Sequence, residues 1–337
     1  MPLAPNPFAA ATKVLSNPTR RRLLAGTATL CLSRLAHAGG QWPDGKPITW
    51  VVPYPPGGST DVLGRALAQQ LDALLATRVI VENRPGATGT IGAARVVRAE
   101  PDGLTLLGTS IGPQAIAPHV MDTLSYDPVE DLAPVITIGT IPHLLVVNAR
   151  QPWRSVAALV QAAKSTANGL SYASGGMGTI LHMQGEWLRR QSGAPLLHVP
   201  YKGDTPALQD TLGGQVHFMF APIAAALPHI QSGALHVLAA TSAKRLPALP
   251  DTPTMVEAGY SDFVAEQWQA VFAPANTPAE VIVRLNRAIG QALRTPELTA
   301  LTEKLGITVA GGSPQQLDAL RRADYEKWGK LIREAGI

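Results

Sequence analysis

YPPGGSTDVLGRALAQQL, residues 54–71, joins two unlike patterns. The apolar run PITWVV before it (47–52) reads as a strand, and after it Leu63, Ala66, Leu67, Leu71 and Leu74 recur at helical spacing. Between them stand two prolines, two glycines and the cap-forming residues Ser59, Thr60 and Asp61. A strand that feeds a helix through bare backbone opens a βα unit. It also leaves the first N–H groups of the helix open to an approaching anion, with no side chain in the way.

The same alternation continues along the chain. RVIVEN (78–83), LTLLGT (104–109), HLLVVN (143–148), LSYAS (170–174), LLHVP (196–200), VHFMFA (216–221), LHVLAAT (235–241) and WQAVFA (268–273) read as strands, with helices over 61–76 and 89–99 between the first three. Strands separated by helices of that length imply an α/β fold of mainly parallel sheets flanked by helices on both faces. Asp127-Pro128, Thr205-Pro206, Thr252-Pro253, Thr277-Pro278 and Ser313-Pro314 each place an N-cap residue before a proline at a first helical position. Glu130, Glu280 and Gln316 complete capping boxes for Asp127, Thr277 and Ser313. Proline is thus punctuation within one folded unit; no repeat or low-complexity linker interrupts it.

Glycine loops recur where strands end: ENRPGATGTIGAA (82–94), TSIGP (109–113) and YASGGMGTILHMQGEWL (172–188). Ligands of open α/β sheets bind at the carboxyl ends of strands, so these loops are read as an anion cradle. None contains the Gly-Lys-Ser/Thr of a phosphate loop, and Gly86, Gly89 and Gly92 give G-x-x-G-x-x-G rather than the dinucleotide spacing. No cofactor is expected. The plainer reading is tight-turn geometry, with Ser59, Thr60 and Asp61 acting only as caps.

The charge is unevenly placed. Residues 1–38 hold five basic side chains and no acid, which leaves 23 basic against 24 acidic residues in the remainder. The basic excess is a leader, and no nucleic-acid partner is expected. In NPTRRRLLAGTATLCLSRLAHAGG, basic residues precede an apolar stretch (23–32) too short to cross a bilayer, and Ala36-His37-Ala38 offers small residues for a signal peptidase. Arg20 and Arg21 resemble the twin-arginine export pair; an arginine-rich Sec signal is the alternative. Cleavage after Ala38 removes the only cysteine, Cys31, and gives an exported, periplasmic product with no disulfide or thiolate chemistry.

Catalytic constellations are thin. His182 and Glu186 share a helix face, but two ligands without partners make no zinc site, and no metal is expected. Ser174 lacks the nucleophile-elbow pattern, and nothing in the sequence places a histidine and an acid beside it. Asp61 and Asp204 each sit near a helix start, where capping competes with catalysis as the reading. Lys202 either meets a carboxylate or faces water. No catalytic residue is assigned.

Beyond these separate signals, an ordered set of segments resembles the periplasmic substrate-binding receptors of tripartite tricarboxylate transporters, the Bug family. They are VVPYPPGGSTD, VENRPGATGTIGAARV, AEPDGLTLL, SYASGGMGTILHMQGE, HVPYKGDTPALQD, GGQVHFMF, LPDTPTMVEAGY and FAPANTPAEVIVRLNRAI, running from about residue 47 to the C-terminus. The resemblance implies a two-lobed periplasmic binding protein fold (type II-like) with a ligand cleft between lobes. Lobe one would hold 46–144 with 266–337, and lobe two 145–265. It further implies a small carboxylate clamped largely by backbone amides and delivered to the transporter's membrane components or to a sensor, the protein being a monomer. By position, Pro56, Gly57, Gly58, Ser59, Thr60, Asp61, Gly86, Ala87, Thr109 and Ser110 would line the first lobe. Ser174, Gly175, Gly176, Met177, Gly178, Thr179, His182, Lys202, Gly203, Asp204 and Thr205 would line the second. The chain departs from the family pattern at Thr88, at Thr179 and at His217, where an acid is usual and its loss from the cleft edge would alter ligand preference. An exported enzyme on the same two-lobed frame, acting on a small carboxylate, is the alternative function.

Overall fold

Six strands form one sheet, most of them apolar runs bounded by glycine or proline, with the short exposed edge strand Thr308–Gly311 as the exception. They are β1 (Ile48–Val52), β2 (Val79–Asn83), β3 (Thr105–Ser110), β4 (Leu132–Ile141), β10 (Gln267–Pro274) and β11 (Thr308–Gly311), in the order β11-β4-β10-β3-β1-β2. The second sheet contains β5 (His143–Asn148), β6 (Leu170–Ser174), β7 (Leu196–Pro200), β8 (Phe218–Pro222) and β9 (Leu235–Ala240), in the order β7-β6-β8-β5-β9. These elements come from a computed structural model that describes residues 42–336. The expected leader over 1–38 and its cleavage point lie outside the described residues.

Helices cover the sheets. On the first, α1 (Ser59–Leu75), α2 (Thr90–Val97), the single turn α3 (Ala117–Val120), α8 (Ala279–Ala292), α9 (Pro296–Lys304) and α10 (Pro314–Ala335) follow or flank the strands. On the second lie α4 (Val156–Ser165), α5 (Ile180–Ser192), α6 (Asp204–Gly213) and α7 (Ile223–Gln231). In α1 the periodic residues Leu63, Leu67 and Leu71 are buried, as their spacing demands. Every residue of β5 is buried, the mark of a central strand covered on both faces.

The sheets are mixed rather than mainly parallel. β2, β1 and β3 are parallel, as are β7, β6 and β8. β10 runs antiparallel to β3 and β4, and β5 antiparallel to β8 and β9. The reason is connectivity. The chain leaves the first sheet at β4, turns through Pro142 and enters the second as β5; it returns after β9 and enters the first as β10. Each crossing delivers an inner strand against the run of its neighbours, so the βαβ rule holds only inside each half.

Proline marks fewer helices than the sequence suggests. Ser313 makes the full capping box with Gln316 at the head of α10. Asp127 Oδ1 accepts from the N–H groups of Val129 and Glu130, but the chain runs straight into β4 after one turn. No helix follows Thr252, because the next residues reach Gly259 at φ +97° before a second turn forms. α6 starts at Asp204, which puts Thr205 and Pro206 inside its first turn, and Pro278 itself takes the cap position of α8.

Candidate functional site

The glycine loops lie at the carboxyl ends of β1, β3 and β6, where the two lobes meet. In the first lobe Pro56, Gly57 and Gly58 connect β1 to α1. Gly57 has φ +88°, whereas Gly58 is ordinary extended backbone, and a Cβ added there meets only Pro55 O at 3.9 Å. Ser59 and Thr60 open α1. Thr60 Oγ1 donates to Gln269 Oε1 (3.0 Å), tying the helix head to the crossing strand β10. Asp61 is engaged within its own lobe: its carboxylate accepts from Gly57 N (2.9 Å), Asn83 Nδ2 (2.8 Å) and Arg65 Nε (3.1 Å). Burial alone would raise its pKa, but these donors outweigh burial and hold it below the usual carboxylate range.

Gly86 (φ +131°), Ala87 (φ +45°) and Thr88 (φ +54°) form a run of positive φ, two of them without glycine's freedom. Thr88 Oγ1 lies 3.9 Å from where a Cβ on Gly178 of the other lobe would stand. Thr109 and Ser110 end β3, and Ser110 Oγ shares a 2.7 Å hydrogen bond with Tyr54 OH. Directly after β3 the chain makes a π-helical turn, Gly112–Ile116.

In the second lobe, Ser174 ends β6 with its Oγ 2.6 Å from His198 Nε2, a neighbour that the sequence did not disclose. That hydroxyl also accepts from Gly176 N at 3.1 Å and is fully buried, so it braces the loop. His182 Nδ1 accepts from Gly178 N (3.3 Å), and the His182 and His198 rings stack at 3.9 Å. Burial depresses both imidazoles to about 4, so each is neutral at ordinary pH. Thr179 caps α5, accepting from His182 N (3.3 Å) and donating to Gly176 O (2.8 Å). Met177 is exposed at the loop tip. Beside this loop runs the turn from β7 to α6, with Gly203 N donating to Gly175 O (3.0 Å). Lys202, Asp204 and Thr205 in that turn are exposed.

The two loop systems meet. A Cβ placed on Gly178 would stand 3.0 Å from Val120 Cγ2 and 3.9 Å from Thr88 Oγ1, both on the first lobe. His217, by contrast, is not at the cleft edge. It precedes β8 and its Nδ1 accepts from Ser171 N (3.0 Å), at the opposite end of the sheet from Ser174.

Some polar groups here were not anticipated from sequence. Gln269 and Gln114 are fully buried, and neither Gln269 Nε2 nor either polar atom of the Gln114 amide has a hydrogen-bond partner. Each is an amide inside an otherwise apolar stretch, the one signal that could have flagged it. Among the described residues no cluster of three or more His, Cys, Asp or Glu could hold a metal ion.

Two lobes joined by crossing strands, with glycine loops at facing strand ends, define a two-lobed α/β solute-binding protein. The profile described as "Tripartite tricarboxylate transporter family receptor" matches residues 63–337, and the chain belongs to that family of receptors. Protein BugT of Bordetella pertussis is 38% identical over 292 residues, 86% of this chain and 90% of that protein. The structure of the periplasmic binding protein BugD is 34% identical with a TM-score of 0.76, covering 86% of this chain and 98% of that one. The structure of R. palustris Rpa4515 with adipate is 34% identical with a TM-score of 0.79, covering 88% and 99%. The protein is a receptor rather than an enzyme.

Proposed function

We propose that this receptor captures a small carboxylate between the 57–61 loop of lobe one and the 174–179 loop of lobe two, and hands it to a tripartite tricarboxylate-type transporter or to a sensor. The observation that supports this reading is the approach of Gly178 to Thr88 and Val120, which brings the 174–179 loop against lobe one beside its 86–89 glycine loop. Backbone N–H groups at the head of α1 and in the 174–179 loop supply the positive potential, since basic side chains are scarce at both strand ends. The structure of R. palustris Rpa4515 with adipate supports a carboxylate here too. We take lobe one as 46–144 with 266–337 and lobe two as 145–265, the protein acting as a periplasmic monomer after removal of residues 1–38 by the twin-arginine route.

A thermal-shift panel tests the ligand class. Mono-, di- and tricarboxylates and aromatic acids should include a stabilising compound, because a ligand held only by the native state raises stability by about 2.7 kcal/mol at one hundred times its Kd. Strong stabilisation by neutral sugars, with none by carboxylates, overturns the reading. Mass spectrometry of material released from protein purified from the periplasm should return an unaltered carboxylate, and the chain itself should begin at Gly39.

A further inference from the structure

Asp61 and Asp204 both stand in the first turn of a helix at the end of a strand, one in each lobe. Asp61 is satisfied by three donors. Asp204 is not. Among the described residues no N–H or O–H group donates to its carboxyl, and the N-cap of α6, Gly203, contributes no side chain. The carboxyl is no helix cap and no ion-pair member. Its Oδ1 lies against the bare backbone of Gly175, so close that a Cβ on Gly175 would collide with it. Gly175 begins the same loop whose Gly178 faces the first lobe.

The charged neighbours are all turned elsewhere. Tyr201 OH donates to Asp210 (2.7 Å), and Glu186 is taken by Tyr172 OH and Arg189. His182 and His198 behind the loop are neutral, and Lys202 is exposed. Asp204 keeps contact with water but is densely surrounded by protein, and this crowding pushes its carboxyl up to about 6. At neutral pH it is an anion beside the Gly175 loop, with no ion-pair partner among the described residues. A ligand bringing only carboxylates would place like charges together, whereas one bringing a cation would relieve the site.

We propose that Asp204 receives a protonated amine of the ligand, so that the receptor selects amino-bearing carboxylates over their deaminated counterparts. This rests on the cleft proposed above. The ligand's carboxylate lies on the backbone cradles and its ammonium donates to Asp204, a charge-assisted hydrogen bond made with a side chain that no other group occupies.

Titration calorimetry at about pH 8, where the carboxyl is ionised, tests it with matched pairs: aspartate against succinate, glutamate against glutarate, phenylalanine against 3-phenylpropionate. Wild type should bind at least one amino member roughly tenfold or more tightly than its partner compound. Asp204→Asn should erase that preference by weakening the amino member alone. The side chain is exposed and unpartnered, so the variant should melt no lower than wild type. Equal binding of both members by wild type, or an equal loss for both in Asp204→Asn, overturns the inference and leaves the carboxylate cleft standing. Absence of binding by every carboxylate in the wider panel sinks the cleft, and the inference with it.

Discussion

Gly57 and Gly58 are adjacent in sequence but do different work. Gly57 needs its positive φ for the turn that presents its N–H to Asp61, so a side chain there strains the fold. Gly58 is extended, and a Cβ there would meet only Pro55 O at 3.9 Å, so neither backbone angle nor packing demands a glycine. Gly58→Val should therefore leave the melting temperature of the unliganded protein within a degree or two while weakening carboxylate binding by about tenfold or more. Unchanged affinity, read by calorimetry, removes this loop from the site. The sequence showed that the loop was bare, but not which glycine was structural, because that depends on backbone angles set by Asp61 and its three donors. It likewise showed two aspartates at helix starts and could not tell the satisfied one from the free one.

At the scale of elements, short uninterrupted apolar runs were readable in the sequence whether fully buried, as in β5, or half-exposed, as in β2 and β7. β4 escaped because Pro134, Gly139 and Pro142 interrupt an apolar run that continues into β5. β11 is four residues at an exposed sheet edge and has no hydrophobic signature. The missed strand β4 and the anticipated β5 together form a crossing, and that crossing is held by a buried histidine. Gln184 Nε2 lies 2.9 Å from His143 Nδ1 and donates to Ala265 O (2.8 Å), so one side chain of α5 binds both crossings. His143 N donates to Thr241 Oγ1 (2.9 Å). Burial depresses this imidazole to about 3, so the folded protein keeps it neutral while the unfolded chain protonates near 6.5. Its stabilising contribution is complete above about pH 6.5 and is lost progressively as pH falls from there toward 3. His182 and His198 act with the same sign down to about 4. The melting temperature should fall across this window, and His143→Asn, which keeps an acceptor for Gln184, should fall less steeply. An identical slope in the variant refutes the assignment to His143.

At the scale of the whole molecule, the contact of Gly178 with Val120 and Thr88 is a closed arrangement of the lobes. In the proposed cleft each loop would hold only part of a ligand's contacts, so binding should favour the state that brings both sets together. Small-angle scattering should show wild type becoming more compact when a stabilising carboxylate is added. Gly178→Ala puts a Cβ 3.0 Å from Val120 at φ +71° and should stay expanded under the same conditions. Scattering that is indifferent to ligand in wild type contradicts the two-jaw arrangement.

The strand order of the first sheet also has a bearing on the sequence of events during biosynthesis. β10, which separates β4 from β3, begins at Gln267, and the covering helix α10 begins at Pro314. As the polypeptide is made from its N-terminus, β1 to β4 emerge early and find a gap between β3 and β4 that only the last stretch of chain can fill. The second sheet spans an unbroken 143–240 and has all its partners well before then. The later half of the chain's interior is thus equipped to fold first, while the earliest strands wait with open edges, the condition under which a nascent chain aggregates and chaperones are engaged. Limited proteolysis of nascent chains arrested on the ribosome short of β10 should find β5–β9 protected while β1–β3 are still cleaved.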